Sequence, residues 1–383
     1  MSEPTAVEKA PAVKTATPAA RRIIGSVVGG LLPPLVAVIG AMAVTSLVIV
    51  ISGGSAADFL STIFSMPNER VQLTIINQSA MLSISAIAAA ICFRMNIFNI
   101  GVEGQYIVGS CAGAFFAGSG LVPGPLNILA TLVVAAAAGA AYASIAGLLK
   151  VFRGVSEVIS AIMLNYIALT MAGYLVTKYG QESGYTFTTE RLPLDAQPLG
   201  FKIFPDAPGD VWALSSLAII LGIGYWFLIS RTRFGFELRV TGESETAARA
   251  SGVNVNKMRL IVMALSGAVA GLVWMPAYFG SVHTFGPPEN FQAGLGFLGL
   301  AVALLGRNRT LGIFFGALLF AFLSGQSNAL QSAGIAKDVI DITQGITVLA
   351  VVVAYEVVGR RRARAEAERV SRQLEAERQG ATA

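Results

Sequence analysis

Ten stretches of the chain are apolar over a length that crosses, or nearly crosses, a lipid bilayer, and this pattern constrains the fold more than any other feature. They fall at about 27–51, 71–93, 97–118, 127–149, 157–177, 211–230, 258–280, 291–306, 310–330 and 338–358. A helix needs roughly 20 apolar residues to span the hydrocarbon core. Inside that core each backbone N–H and C=O must be satisfied without water, so isolated apolar runs form helices there. Composition agrees: 54% of residues are hydrophobic and 13% charged, against about 25% charged in a soluble domain. The predicted fold class is an all-α polytopic membrane protein with about ten transmembrane helices. The stretch at 291–306 is short and is expected to be partly re-entrant.

Charge placement sets the expected orientation. With the N-terminus inside, the cytoplasmic segments hold 22 Lys and Arg residues and the outer loops hold 5. A missed span would swap every later loop and spoil this bias, so both termini are expected in the cytoplasm. Residues 1–22 are rich in Pro, Ala and Thr and read as a disordered tail. The run that follows is too long for a secretory signal and is expected to remain as the first helix. The expected membrane domain covers 23–358, with a long outer loop at 178–210 and a basic inner loop at 231–257. A charged cytoplasmic tail follows at 359–383.

Several chemistries are excluded early. There is one histidine, His283, and the two cysteines, Cys92 and Cys111, both lie in apolar runs. No disulfide framework or metal cluster is expected from these, and no catalytic cluster is apparent. The net charge of +5 is accounted for by membrane orientation, and no nucleic acid partner is expected.

Four stretches carry the functional signal. The first is Asn99-Ile100-Gly101-Val102-Glu103-Gly104-Gln105. An ionisable residue inside an apolar span faces a polar cavity or a partner. Glycines beside it point to a broken or closely packed helix, and such breaks in transporters line the pathway. Glu103 and Gln105 could equally serve as a clamp on the break. The second stretch places Asn165 and Tyr166 at mid-span, an amide and a flat ring suited to a nucleobase or sugar, or to helix–helix packing. The third lies in the inner loop, where Gly235, Arg239, Gly242, Glu245, Ala247, Ala248 and Gly252 mark a short amphipathic helix suited to docking on another protein. Gly252 is placed to end that helix. The fourth, 296–308, carries glycines at 296, 299 and 306 and ends in Arg307-Asn308.

Together these stretches resemble the permease subunits of bacterial ABC importers of the branched-chain amino acid, ribose and nucleoside superfamily, most closely the nucleoside or simple-sugar branch. The resemblance covers roughly residues 70–350. It implies a ten-helix fold with inverted repeats, similar to vitamin B12-type permeases, in the bacterial plasma membrane. It implies that 235–252 couples to a separate ABC ATPase, although the Glu-Ala-Ala-x-x-x-Gly coupling signature is present only loosely, as Glu245-Thr246-Ala247-Ala248 and Gly252. It further implies a second permease subunit, as a heterodimer, and an extracytoplasmic solute-binding protein. Asn99, Glu103, Gln105, Asn165 and Tyr166 are the candidate pathway residues. The sequence has no Gly-x-x-x-x-Gly-Lys-[Ser/Thr], so no phosphate-cradling loop is present; no cofactor is expected, and ATP is assigned to the partner. Competing readings are a monosaccharide permease, an ion-coupled transporter using Glu103, Asp338 or Asp341, and, least favoured, a membrane enzyme.

Overall fold

The computed structural model describes residues 55–286 and 293–332, together with 39–40, 42–47, 49–51, 339, 342–346, 349–350 and 353. The expected tails, most of the expected first and last spans, and Asp338 and Asp341 lie outside the described residues. The chain divides into two units, Met1–Met42 with Leu349–Ala383, and Ala43–Val348. The described residues of the first unit are helical; everything below concerns the second.

Among the described residues six segments are long and apolar enough to cross a membrane: Glu69–Phe93, Pro125–Arg153, Glu157–Tyr179, Ala213–Arg231, Val255–Val282 and Thr310–Gln331. The chain is thus a mostly helical, multi-pass membrane protein. Between Ala56 and Ser332 its α-helices of more than one turn are α1 (Ala56–Phe64), α2 (Glu69–Phe93), α3 (Val102–Gly118), α4 (Pro125–Arg153), α5 (Glu157–Tyr179), α6 (Ser216–Arg231), α7 (Arg233–Glu243), α8 (Glu245–Ala250), α9 (Val255–Gly271), α10 (Leu295–Leu305), α11 (Thr310–Gly325) and α12 (Ser327–Ser332). One hairpin, β1 (Gln181–Ser183) with β2 (Thr186–Thr188), pairs Gln181 with Thr188.

Helix α2 is the hub. From Ala80 to Cys92 every residue is buried, and α6, α9, α10 and α11 all pack on it. The run Ala86, Ala88, Ala89, Ala90 keeps its girth small enough for that. Glycines serve the same end where α3, α4 and α9 meet. A Cβ at Gly267 would collide with Ala143 and the Gly139 carbonyl, and one at Gly271 with the Ala135 carbonyl. Gly109 likewise rests on Gly271. Lipid offers no hydrophobic drive for helix association, so close backbone contact through small residues supplies it.

Two expected spans are interrupted. The run at 97–118 becomes helical only at Val102, because the Asn99 side chain accepts the Gly101 N–H (3.1 Å), a local bond that competes with helix. The run at 258–280 starts at Val255 and loses its regular bonding after Gly271, resuming as one turn, Met275–Ala277, and a π-turn, Tyr278–Val282. Pro276 explains this: it lacks an N–H, and its ring crowds the carbonyl four residues back, that of Leu272.

At the end of the bundle that carries the hairpin, residues 181–212 dock on the segment after the π-turn. Thr189 N–H donates to the Phe285 carbonyl (2.8 Å) and Leu192 N–H to the His283 carbonyl (2.8 Å). At the other, basic end, Arg94 and Tyr225 both donate to the Asn308 carbonyl (2.6 and 2.8 Å). That carbonyl belongs to a tight turn in which Arg307 and Asn308 both adopt positive φ.

A candidate site where two helices begin within the bundle

Two helices start deep in the bundle rather than at its surface. The first turn of α3 meets α5 at Asn165, eight residues from the Glu157 end of that helix. The start of α10 meets α2 at Ser85, which donates to the Leu295 carbonyl (2.8 Å) eight residues from the Phe93 end. At 1.5 Å per residue both points lie about 12 Å inside the ends of the flanking spans. Each start exposes backbone N–H groups that have no partner in their own helix.

Glu103 serves the start of α10. Its Oε1 accepts the Gly294 N–H (2.6 Å) and the Tyr106 hydroxyl (3.0 Å). Its Oε2 accepts the Gly296 N–H (2.7 Å). A carboxylate at a helix N-terminus meets the positive end of the helix dipole, and its bonds to N–H groups are charge-assisted. Gly296 is required here, since a Cβ would strike the Glu103 backbone. Gly294, at φ +89°, turns the chain into the helix.

Asn165 serves the start of α3. Its Oδ1 accepts the Gly104 N–H (2.8 Å) and its Nδ2 donates to the Ile100 carbonyl (3.0 Å). Asn99 and Gln105 form a reciprocal amide pair, with both bonds at 2.9 Å. Asn99 also donates to Ser266 (2.8 Å), whose hydroxyl donates to the Ala88 carbonyl (2.6 Å). One network thus ties α2, α3, α5, α9 and α10 together at the two breaks.

The structure brings Asn99, Glu103, Gln105 and Asn165 together and separates Tyr166 from them. Tyr166 is 72% exposed, on the outer face of α5. Thr170 and Tyr174 are exposed on that helix too, among the exposed Ile159, Ile162, Met163 and Ile167, and Lys178 donates to the Tyr174 hydroxyl (3.0 Å); the exposed large side chains of α6 are Ile219, Ile220, Ile223, Trp226 and Phe227.

The inner-loop candidates form two helices. Gly235 packs on the Leu228 and Ile229 carbonyls, and the Arg239 guanidinium donates to the Ile229 carbonyl. Gly242 rests on the Arg94 backbone. In α8, Ser244 caps the start by accepting the Ala247 N–H (3.3 Å). Gly252, at φ +83°, closes the end, with Gly252 N–H on the Arg249 carbonyl and Val253 N–H on the Ala248 carbonyl, both 3.0 Å. That pair of bonds is the Schellman arrangement. Ala248 is fully buried, while Glu245, Ala247 and Arg249 are exposed. Two ion pairs flank a cavity of about 330 Å³ beside these helices: Lys150–Glu157 (2.9 Å) and Arg259–Glu245.

Sequence reading missed Ser266, Ser85 and the Arg94–Tyr225–Asn308 junction. Ser85 and Ser266 are single hydroxyls within apolar helices, and only Arg307-Asn308 beyond Gly306 carried a turn signal. Among the described residues no group of three or more His, Cys, Asp or Glu is placed to hold a metal ion.

Residues 71–352, which contain both breaks and the α7–α8 pair, match the family model for the permease component of the branched-chain amino acid transport system. The chain belongs to this permease family. The permease is 33% identical over 336 residues to the guanosine ABC transporter permease protein NupP of Bacillus subtilis, covering 85% of this chain and 94% of the relative. It is 29% identical to the nucleoside ABC transporter permease protein NupB of Lactococcus lactis, covering 72% and 77%. The glucose ABC transporter permease protein TsgB13 of Haloferax volcanii is 26% identical, covering 82% and 85%. No solved structure is a significant match. As a member of this family the permease is the membrane-spanning subunit of a transport system.

Proposed function

We propose that this permease carries nucleosides inward across a bacterial plasma membrane, as one of two non-identical permease subunits driven by a separate ATPase. The observation that carries the cargo reading is the match to the guanosine permease NupP over 85% of this chain. The pairing reading is supported by NupQ, a second guanosine permease protein of the same organism, which also matches the chain at 28% identity. In this reading the fold is the ten-helix, inverted-repeat arrangement of the vitamin B12-type permeases, with both termini in the cytoplasm. The ATPase docks on α7 and α8, and a solute-binding protein delivers cargo at the hairpin end.

Asn99, Glu103, Gln105 and Asn165 hold the two breaks, which gives the moving helices a fixed point at mid-span. Tyr166 lies on a different surface, with Thr170 and Tyr174. A phenol turned toward hydrocarbon would lack a hydrogen-bond partner, so this face of α5 is assigned to the pathway shared with the second permease. The alternating motion is a rocking of helix groups about that point.

The test is uptake of labelled guanosine and uridine by proteoliposomes holding the complete transporter. ATP-dependent uptake that persists when ion gradients are collapsed is expected. Uptake that vanishes with the gradient would instead support ion coupling. ATP-driven uptake of glucose or ribose without nucleosides would replace the cargo, a reading that the TsgB13 match favours.

A further inference from the structure

A second cavity, of about 470 Å³, opens at the hairpin end between α2 and the segment that runs into α6. Its volume lies within the roughly 300–1,000 Å³ typical of small-molecule sites. Asn77 builds one wall: its side chain accepts the Trp212 N–H (3.0 Å) and the Ser215 hydroxyl (3.0 Å) and donates to the Asp210 carbonyl (3.3 Å). These bonds pin residues 210–215 against α2. The Trp212 indole is seated on Gly280, where no Cβ would fit.

The next residue on α2, Gln78, lines this cavity and is 9% exposed. Its amide has no hydrogen-bond partner among the described residues. Neither amide atom is sealed from the cavity, so the group is open there to a ligand or to water. Around it stand Thr74 and Ser281, the exposed side chains of Arg70 and Asp210 at the rim, and Met81. Met81 is one turn above Ser85, which holds the start of α10.

We propose that this cavity binds the nucleoside within the single permease chain, with the base against the Trp212 indole, its polar edge on the Gln78 amide and its sugar toward the Asp210 rim. A flat aromatic surface beside a free donor–acceptor pair is the chemistry a nucleobase requires, since every base offers a π face and an amide can pair with a base edge through both of its atoms. A hexose has hydroxyls for the rim but no edge to match the amide. The site differs from the α5 face assigned above, and it rests on the nucleoside reading.

The experiment uses the assembled permease–ATPase complex without its binding protein. Thr74→Cys supplies a reporter thiol, because both native cysteines are buried. Labelling by a membrane-impermeant thiol reagent is followed with guanosine, with glucose and with neither. Guanosine is expected to slow labelling at least several-fold, and glucose to leave it unchanged. Gln78→Leu or Trp212→Leu in the same background weakens guanosine protection by roughly tenfold in concentration, as loss of one stacking or paired contact does, while Trp212→Phe retains it. A reporter on the hairpin, Thr186→Cys, gains no protection. Guanosine uptake by the complete transporter without protection of Thr74→Cys overturns the site and leaves the function standing. Equal protection in both leucine variants, or protection by glucose, overturns the site as well. Absence of any nucleoside uptake removes the cargo reading, and this site with it.

Discussion

Replacing one carboxylate oxygen of Glu103 with an amide sets a donor against a donor. Both oxygens accept backbone N–H groups, from Gly294 and Gly296, so Glu103→Gln keeps one bond and turns the other repulsive. A charge-assisted bond of this kind contributes about 1.5–3 kcal/mol. The expected result is a thermal midpoint lowered by several degrees in nanodiscs and loss of transport. A variant with wild-type midpoint and uptake would remove Glu103 from the site. Glu103 stood out in the sequence as a carboxylate in an apolar run. Its partners did not, because Gly294 and Gly296 lie 191 and 193 residues away and backbone N–H groups leave no mark in a sequence. Asn165 was equally legible as a polar residue at mid-span, yet its service to the Gly104 N–H depends on where α5 crosses α3. His283 makes a separate case. Burial, joined by the nearby Arg191 charge, lowers its imidazole below the usual histidine range. Stability from a lowered group is present above its unfolded value of about 6.5 and is lost as pH falls through the folded value. Protection of the Leu192 N–H against hydrogen exchange, taken relative to its intrinsic rate at each pH, is therefore expected to fall as pH drops from 7 to 5, since that N–H is held by the His283 carbonyl. His283→Asn, which also tolerates the positive φ of 59° at this position, should flatten that profile; an unchanged profile would refute the assignment.

Among the elements, the breaks taught more than the spans. Hydropathy located the long helices within a few residues because lipid imposes one composition on every span. It could not locate the ends of α3 or α9, since the residues of a broken segment are as apolar as those of a continuous one. Pro276 was the readable sign for α9, and the Asn99–Gly101 pair for α3. The short α10 was visible as a short run. Its beginning was not, because that is set by the fit of Gly296 and Gly299 onto α3 and α2. The end of α8 was legible for a simpler reason: a left-handed closing residue favours glycine wherever it occurs. Gly252 has open space around it, so a substitution there acts through the backbone alone. Gly252→Val forces a β-branched residue to φ +83°, a cost of roughly 1–2 kcal/mol that falls on a six-residue helix with few other supports. The complex is expected to assemble and hydrolyse ATP while moving several-fold less nucleoside per ATP. Gly252→Asn, tolerant of the same φ, should restore most of that ratio. Equal transport per ATP in the valine variant would dissociate α8 from coupling.

At the scale of the molecule, a force applied at α7 and α8 has to reach helices that begin about 12 Å inside the span ends. The cavity of about 330 Å³ is where such a force would pass, because its walls include α7, α8, α9, the last turns of α4 and the start of α5. Backbone contact joins α7 to the α2–α3 connection, where the Asn96 side chain donates to the Gly242 carbonyl. Charge joins the remainder. Arg259 on α9 pairs with Glu245 at the start of α8, and Lys150 near the end of α4 pairs with Glu157 at the start of α5. Seven residues beyond Arg259, α9 carries Ser266 of the central network, so a rigid α9 transmits displacement of α8 to the Asn99–Gln105 pair. Each pair keeps one partner open to solvent, Glu245 at 47% and Lys150 at 34%, and solvent weakens such pairs, so reversing one charge should leave the fold intact and change the linkage instead. Arg259→Glu is expected to preserve the thermal midpoint within a few degrees, to leave ATP hydrolysis running and to lower nucleoside moved per ATP several-fold. Adding Glu245→Arg restores an opposite-charge pair in reversed order and should recover most of that ratio, whereas Glu157→Arg, which faces Lys150, should not. Recovery by Glu157→Arg instead would place the working partner of Arg259 on α5, and no loss at all in Arg259→Glu would leave the hydrogen bond from the Asn96 side chain to Gly242 as the route from α7 into the bundle.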